Sequence, residues 1–560
     1  MITKIFDKGH LSIANSYYNL GQLYMSTRDY HKGYRYIKNS FDILKKNRNQ
    51  NFTILDKNQK QLYLKSNKIQ NYSLIEISQL YKSILKNKTQ KTTLKKDTLN
   101  SWLNYKRAIY DTQNSLNLLY AKGDKKINAK IDQLHTHQRR LARLYQNVPK
   151  EAKKINQYNQ NIKNTKEEIS KLEIWLSSKS SNLYTKDIDY GDIVEILKED
   201  ELYIDFAKVG GRYYYFTVDK DEQIVFEMFD ENKTKLIDKS IKAIQMKIDD
   251  GYPSLVKNEF TELYDLIIRD MKLGDKKSLI VSTDGILGLV PFEAFYDAKE
   301  KKYLIEQFSV RYIPSGKELV KLANNHHQSK KDIVVFADID FPKEKGSKIK
   351  GGIFESLQKI DIGYLKYSKL EALNIKKYFK ETKLLLEKNA TEGNLIGLNQ
   401  PKILHLSTHG VFLNDKNITN PLEKSLILLH GADKSIKEKK SDGIISGLEL
   451  AGLNLKGTEL VVLSACQTGL GDIEEAEGVA GINKAFMLAG AKHIVMSLWS
   501  VNDKATAKLM SMFYENIKKK MNYSDALREA KLSMIKIGRK NKSTNYWHPL
   551  YWSGFVGSGI

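Results

Sequence analysis

Two hydrophobic rhythms divide the chain. From Ser101 to about Ser180, apolar residues recur at helical spacing in a polar background, through WLNYKRAIYDTQNSLNLLY, INAKIDQLHTHQRRLARLYQ and a charged stretch ending KLEIWLSS. Only Pro149 interrupts this stretch, so the pattern predicts a helical connector or antiparallel hairpin over 101–185. Beyond residue 190 short apolar runs take over: ELYIDFA (201–207), RYYYFTV (212–218) and QIVFEMF (223–229), each bounded by turn residues. A helical stretch is expected over 234–272. Strand-like runs follow at 278–285, 333–337, 402–410, 459–466 and 493–499, separated by helical patterns that include 477–489, 503–519 and 524–537. Apolar strands alternating with helices predict an α/β fold, a parallel-rich sheet flanked by helices on both faces. Sheets of this kind place chemistry at the carboxyl ends of their strands.

The first hundred residues carry a different signature. Tyr17, Leu20, Gly21 and Tyr24 are spaced Y-x2-L-G-x2-Y, a turn is expected at Thr27–Asp29, and Gly33 and Ile37 follow. This resembles a tetratricopeptide repeat, in which small residues let two helices approach. A mid-helix glycine costs about 1 kcal/mol relative to alanine, so Gly21 is expected to mark close packing. Residues 52–86 read as a degenerate second repeat, and 1–100 as an all-α, repeat-like region.

Composition narrows the classes. A chain of 560 residues is too long for one core. Its single cysteine, Cys466, excludes an intramolecular disulfide and any multi-cysteine metal site, as suits a reducing compartment. The N-terminus has no apolar signal core, and no run of about 18 apolar residues occurs anywhere, so a cytoplasmic protein without a membrane span is expected. The net charge of +25 is regional, with 35 Lys and Arg against 13 Asp and Glu in residues 1–180 and near balance in the rest. A basic face of this kind is expected to dock an acidic protein or a nucleic acid. Richness in Lys, Asn and Ile also reads as coding bias, which leaves the asymmetry unexplained.

Two strand ends bear reactive side chains. KILHLSTHG ends in His409–Gly410, and ELVVLSAC ends in Cys466, 57 residues later. Taken alone, a cysteine in an apolar strand is a small inert hydrophobe. A neighbouring imidazole changes this, because it can take the thiol proton or stabilise the thiolate. Backbone N–H groups of Gly410 and Cys466 would then face a substrate oxyanion, with Gly469 and Gly471 leaving room for substrate.

The ordered series STHGVF, NPLEKSLILL, SDGIISGLELAGLNLKGTELVVLSACQTGLGD, EGVAGINKAFMLAGAKHIVMSLWSVNDKATAKLM and HPLYWSGFVGSG resembles the CHAT domain, a caspase-like peptidase domain found with tetratricopeptide repeats. The similarity starts upstream, at LYIDFA and SLIVSTDGILGLVPFEAFYD, and covers roughly 190–560. The resemblance implies a cysteine endopeptidase of the caspase, gingipain and separase clan. It makes His409 the general base and Cys466 the nucleophile, with oxyanion donors from Gly410 and Cys466. It also implies a non-catalytic caspase-like half over 190–325, whose strand end STDG lacks Cys and His, and a catalytic half over 330–560. Asp284 is then a turn residue. SLWSVNDKAT is similar to a separase segment whose aspartate receives a basic side chain. That makes Asp503 the candidate for binding Lys or Arg before the cut, with a helix N-cap as its other reading. No cofactor or metal is implied.

The remaining histidines read as structural. His405 lies in the strand core, His548 sits among aromatics, and His135 and His137 lack a convincing metal set. The function expected is a regulated endopeptidase that cleaves a protein partner. An activating protein or ribonucleoprotein docking on the basic helices would switch it on, in a bacterial defence or cell-death setting. The alternatives are a non-catalytic repeat scaffold or adaptor, and a nucleic-acid-associated binding module.

Overall fold

The structure, a computed structural model, describes residues 10–146, 149, 152–184, 186–250, 256–324, 332–341, 363–413, 418, 420–432, 443–465, 472–474, 478–541 and 544–559. It opens with helices α1 (Leu11–Ser26), α2 (Tyr30–Asn51), α3 (Lys57–Ser66), α4 (Lys68–Ile84), α5 (Lys88–Leu103), α6 (Ala108–Ala121), α7 (Lys125–Gln146), α8 (Ala152–Tyr184) and α9 (Tyr190–Ile196). The α1–α2 pair has the expected close approach. A Cβ on Gly21 would lie 2.5 Å from Ile37 Cγ1 and 3.3 Å from the Gly33 carbonyl oxygen. Asp29 caps α2 by accepting from Lys32 N at 3.1 Å. The long α7 and α8 form the expected hairpin, with a small core of Leu119, Ile131, Leu134, Leu172 and Leu176 against α6.

The strands are β1 (Glu201–Val209), β2 (Arg212–Asp219), β3 (Ile224–Met228), β4 (Ser278–Ser282), β5 (Tyr296–Asp297), β6 (Lys302–Tyr303), β7 (Ser309–Tyr312), β8 (Ile333–Ala337), β9 (Lys383–Leu386), β10 (Ile403–Phe412), β11 (Ser425–Leu428), β12 (Ile444–Ser446), β13 (Leu460–Ala465), β14 (Asp472–Glu474), β15 (Gly478–Ala480), β16 (His493–Ser497) and β17 (Phe555–Ser558). All but β5, β6, β14 and β15 join one sheet, along the path β12-β11-β10-β13-β16-β17-β7-β4-β1-β2-β3, with β8 beside β10 and β9 beside β8. The neighbours β9/β8/β10/β13/β16 and β7/β4/β1 run parallel, which accounts for the apolar runs in β8, β13 and β4. At the seam, β17 runs antiparallel to β16 and meets β7 through the pair Ser558↔Tyr312. The fold is thus the expected α/β arrangement, two sheet halves fused edge to edge behind an all-α region.

Helices α10 (Glu231–Asp249) and α11 (Lys257–Leu263), the latter ending in a π-helical turn over Tyr264–Ile268, replace the single helix expected over 234–272. Helix α12 (Gly316–Ala323) closes the first half, and in the second half α13 (Ser368–Tyr378), α14 (Ile482–Ala489), α15 (Asp503–Lys518) and α16 (Tyr523–Lys540) flank the strands. The helix expected at 477–489 starts only at Ile482, because residues 478–480 pair with β14 as a hairpin.

The N-terminal helices are one of the sheet's covering layers. Trp102, Leu103, Tyr105 and Ile77 share a buried cluster with Tyr203, Phe216, Phe226 and Ile280 of the first sheet half. Between α5 and α6, Lys106 is completely buried, and its Nζ lies 2.7 Å from Asp205 Oδ1, 2.7 Å from Ser282 Oγ and 3.1 Å from Phe206 O. Trp102 Nε1 donates to the same carboxylate at 3.1 Å. The halves are stapled in a similar way, by Lys531 of α16 against Glu293 at 3.0 Å, both buried.

Candidate active site

The site is built where β10 outruns its parallel neighbours. Along its first part β10 lies between β8 and β13, and Thr408↔Ala465 is the last described rung with β13. Past that point it turns into an antiparallel ladder with β11, pairing His409 with Leu428 and Gly410 with Ile427. His409 is therefore the first residue beyond the described parallel rungs, inside a strand that continues to Phe412. Cys466, which follows Ala465 in the chain, lies outside the described residues, as do Gly469 and Gly471.

The His409 ring is 7% exposed and packs edge-on against Phe341, with ring centroids 4.9 Å apart. Its Nε2 lies 2.7 Å from the carbonyl oxygen of Gly363. A carbonyl can only accept, so Nε2 donates, and the neutral ring then carries its lone pair on Nδ1. One backbone oxygen thus selects the tautomer in which Nδ1 is the basic atom.

The segment that presents Gly363 is tied down from three sides. Tyr364 Oη donates to Asp338 Oδ1 at 2.7 Å, at the end of β8. Tyr367 N donates to Asp503 Oδ2 at 2.8 Å, at the start of α15. Ser368 Oγ donates to Ser407 O at 3.2 Å on β10 itself, and accepts from Asp338 N at 2.9 Å. Asp338 also pairs with Lys369 at 2.8 Å.

Beneath the strand ends lies a buried polar knot. Glu371 of α13 accepts from Ser407 Oγ at 2.9 Å and from Ser464 Oγ at 3.2 Å. Its other oxygen lies 3.0 Å from His405 Nε2, and His405 Nδ1 is 2.9 Å from Tyr514 Oη. One carboxylate thereby cross-links β10 and β13 at positions two residues before 409 and 466. Side chains two apart on a strand share a face, so the knot fixes the floor of the site.

The predicted residues fall out as follows. His409 and Gly410 lie within β10, which runs on to Phe412 rather than ending at Gly410 as expected, at the point where its antiparallel ladder with β11 begins. Asp503 is half-buried, with its carboxyl raised above the usual range by burial, opposed by the Tyr367 N–H and reinforced by the charge of Glu371. The side chain that caps α15 is Asn502, which accepts from Ala505 N at 3.0 Å, so the N-cap reading of Asp503 gives way to that of an acceptor for Tyr367. His405 is fully buried in the knot, and His548 accepts from Leu550 N at 3.3 Å as a local cap. In the first half, Asp284 is buried with its carboxyl raised, chiefly by burial, and accepts from Lys208 N at 2.8 Å. Gly363, Phe341 and Glu371 were not singled out in the sequence. Ser407 and Ser464, each two residues before a reactive position, were the available signal for an acceptor beneath both strands.

Comparisons with known proteins agree with the sequence resemblance. The sequence model of the CHAT domain matches residues 257–560. Tetratricopeptide repeat protein 28 of Homo sapiens is 24% identical over 345 residues, covering 55% of this chain and 13% of that protein, and the Mus musculus protein matches to the same extent. The chain thus spans 13% of the length of these curated relatives. Among solved structures, the Saccharomyces cerevisiae separase–securin complex aligns with a TM-score of 0.39 at 10% identity, over 98% of this chain and 47% of that one. The Arg-specific cysteine proteinase gingipain R aligns with a TM-score of 0.34 at 10% identity, over 54% and 67%. These scores are too low for the likeness to carry an argument.

Proposed function

Because the chain belongs to the CHAT domain family, we propose that it is a regulated cysteine endopeptidase working through His409 and Cys466. The observation that carries the reading is the strand register. β10 and β13 pair in parallel from Ile403↔Leu460 to Thr408↔Ala465, and the two candidate residues follow Thr408 and Ala465 in the sequence. Their separation of 57 residues equals the offset of that ladder. The Gly363 contact supports the same assignment by leaving Nδ1 of His409 as the base.

In this mechanism Cys466 passes its thiol proton to Nδ1, and the thiolate attacks the scissile carbonyl. Backbone N–H groups of Gly410 and Cys466 receive the developing oxyanion. His409 returns the proton to the leaving amine, and water then hydrolyses the thioester with the same imidazole as base. Asp503 is the proposed acceptor for a Lys or Arg side chain before the cut, its half-exposed carboxylate standing just past β16. The proposed division is a non-catalytic half over 190–325 and a catalytic half over 330–560, with repeat-like helices over 1–100 and a connector over 101–185. An acidic protein or ribonucleoprotein docking on the basic helices is the proposed switch.

Wild type and Cys466→Ala, incubated with a peptide library varied at the residue before the cut, with and without candidate partners, test the proposal. Cleavage by wild type alone supports it. Equal cleavage by both proteins, or none under any condition, would remove it in favour of a scaffold role.

A further inference from the structure

A small cavity of about 60 Å³ lies at the seam between the two sheet halves, where β17 meets β7. Arg107, Thr283, Tyr312, Gly481, Asn483 and Ser558 contribute to its lining. Arg107 is 8% exposed, and its Nε has no hydrogen-bond partner among the described residues. No carboxylate among them pairs with its guanidinium, and the acids nearby are engaged elsewhere: Asp111 stands 3.5 Å from Lys317, and Glu318 stands 3.3 Å from Lys321. Arginine stays charged at any working pH, so burial cannot neutralise it as it would a lysine. A buried guanidinium without an anion is a costly arrangement.

The opposite wall supplies complementary donors. Helix α14 begins at Ile482, its cap Gly481 offers no side chain to the first-turn N–H groups, and no acidic residue occupies that turn. Gly481 and Asn483 both line the cavity, and Asn483 Oδ1 is buried without a partner among the described residues. An uncapped helix N-terminus attracts negative charge through its free N–H groups and dipole. An amide turned over presents NH₂ in place of its oxygen. Arginine, helix start and amide thus line one partly open cavity.

We propose that this cavity binds a small oxyanion, a phosphate or a carboxylate group, held between the Arg107 guanidinium and the N-terminus of α14. The volume accommodates about four water-sized spheres, which suits an inorganic anion or a terminal acidic group. Arg107 itself has φ 60, a left-handed conformation uncommon outside glycine, held between the anchored Lys106 and the start of α6. An anion here joins the helical region, the seam and the helix that follows the β14–β15 hairpin.

The test uses the full chain in thermal melts with sodium phosphate, sulfate or acetate, each against sodium chloride at equal ionic strength. A saturable rise in Tm with one or more of the three oxyanions, absent with chloride, is expected. Phosphate and sulfate acting without acetate identifies a tetrahedral ligand; acetate acting alone identifies a carboxylate. Arg107→Met is expected to abolish the rise. Asn483→Asp places a carboxylate beside Arg107, so it is expected to raise Tm in chloride alone and to remove the response to added anion. It keeps the test open if Arg107→Met does not fold. No saturable rise in wild type, an undiminished rise in Arg107→Met, or an Asn483→Asp protein that is less stable in chloride and still responds to the anion would each overturn the assignment.

Discussion

Replacing Lys106 with methionine should be among the most damaging single changes outside the candidate site. Methionine keeps the length of the side chain and removes only the ammonium. That ammonium is fully buried and serves Asp205 at 2.7 Å, Ser282 Oγ at 2.7 Å, Phe206 O at 3.1 Å and Ser282 O at 3.3 Å. Without it, Asp205 keeps two neutral donors, Trp102 Nε1 and the Tyr203 hydroxyl, but no countercharge. Removing one partner of a buried ion pair costs about 3–5 kcal/mol, because the other charge is stranded. Lys106→Met with Asp205→Asn removes both charges and should recover more than half of that loss. Urea unfolding followed by tryptophan emission is the assay, since Trp102 touches the pair and reports its loss directly. A loss below about 1 kcal/mol for Lys106→Met, or a double variant no more stable than the single one, would refute the premise that this pair is dry and coupled.

Gly21→Ala should destabilise by about 1–3 kcal/mol despite alanine's better helix propensity, because its Cβ would stand 2.5 Å from Ile37, which is fully buried; a thermal melt measures this. Glu423, against the α7–α8 hairpin, has its carboxyl raised to about 7 by burial, opposed by Asn420 and by the charges of Lys57 and Lys166. A raised folded-state value means that its contribution is fully present below about 4.5 and lost as pH rises through about 7, so Glu423→Gln should match wild type near pH 4.5 and exceed it at pH 8 by up to about 3 kcal/mol in denaturant melts. Asp503→Asn keeps an acceptor for the Tyr367 N–H, so it should leave Tm near the wild-type value while preference for Lys or Arg before the cut falls about tenfold or more; unchanged preference in the peptide library removes the pocket assignment.

The parts of this fold legible in the sequence are those whose own pattern specifies them. β8 is an unbroken apolar run and β13 and β16 are nearly so, as parallel strands buried on both faces usually are, while β10 carries its polar residues toward the candidate site. Gly21 was readable because a helix tolerates glycine only for close packing. Short strands at or next to the sheet edges, such as β9, β11 and β12, carry three or four residues each, too few for a period to show. Two strand ends bearing His409 and Cys466 could be named, but not that their strands are neighbours, which is a fact of topology. Gly363 and Glu371 enter from the chain segment before β9, and nothing local marks a glycine whose carbonyl orients a histidine. The layer formed by α4 and α5 was hidden for a related reason. An apolar stripe on a helix looks the same whether it faces another repeat or a sheet.

That layer decides how a signal received by the basic helices could reach the candidate site. In a repeat region joined by a loose linker, docking would act only by bringing substrate nearer. Here the α5–α6 junction inserts Lys106 among the carboxyl ends of β1 and β4, and Arg107 reaches the seam cavity. The same cavity is lined by Gly481, one residue past β15, and the β14–β15 backbone hairpin packs on the 3₁₀ turn Gly285–Leu289 that follows β4. The chain between β13 and that hairpin contains Cys466. Helical region, first-half strand ends, seam cavity and hairpin are therefore consecutive packed contacts. A partner that shifts α5 against α6 would act on the Lys106 anchor, which lies at the start of these contacts. Under the proposed peptidase reading, these contacts link the basic helices to the hairpin that follows Cys466 in the chain, whereas His409 is held separately, by the carbonyl of Gly363.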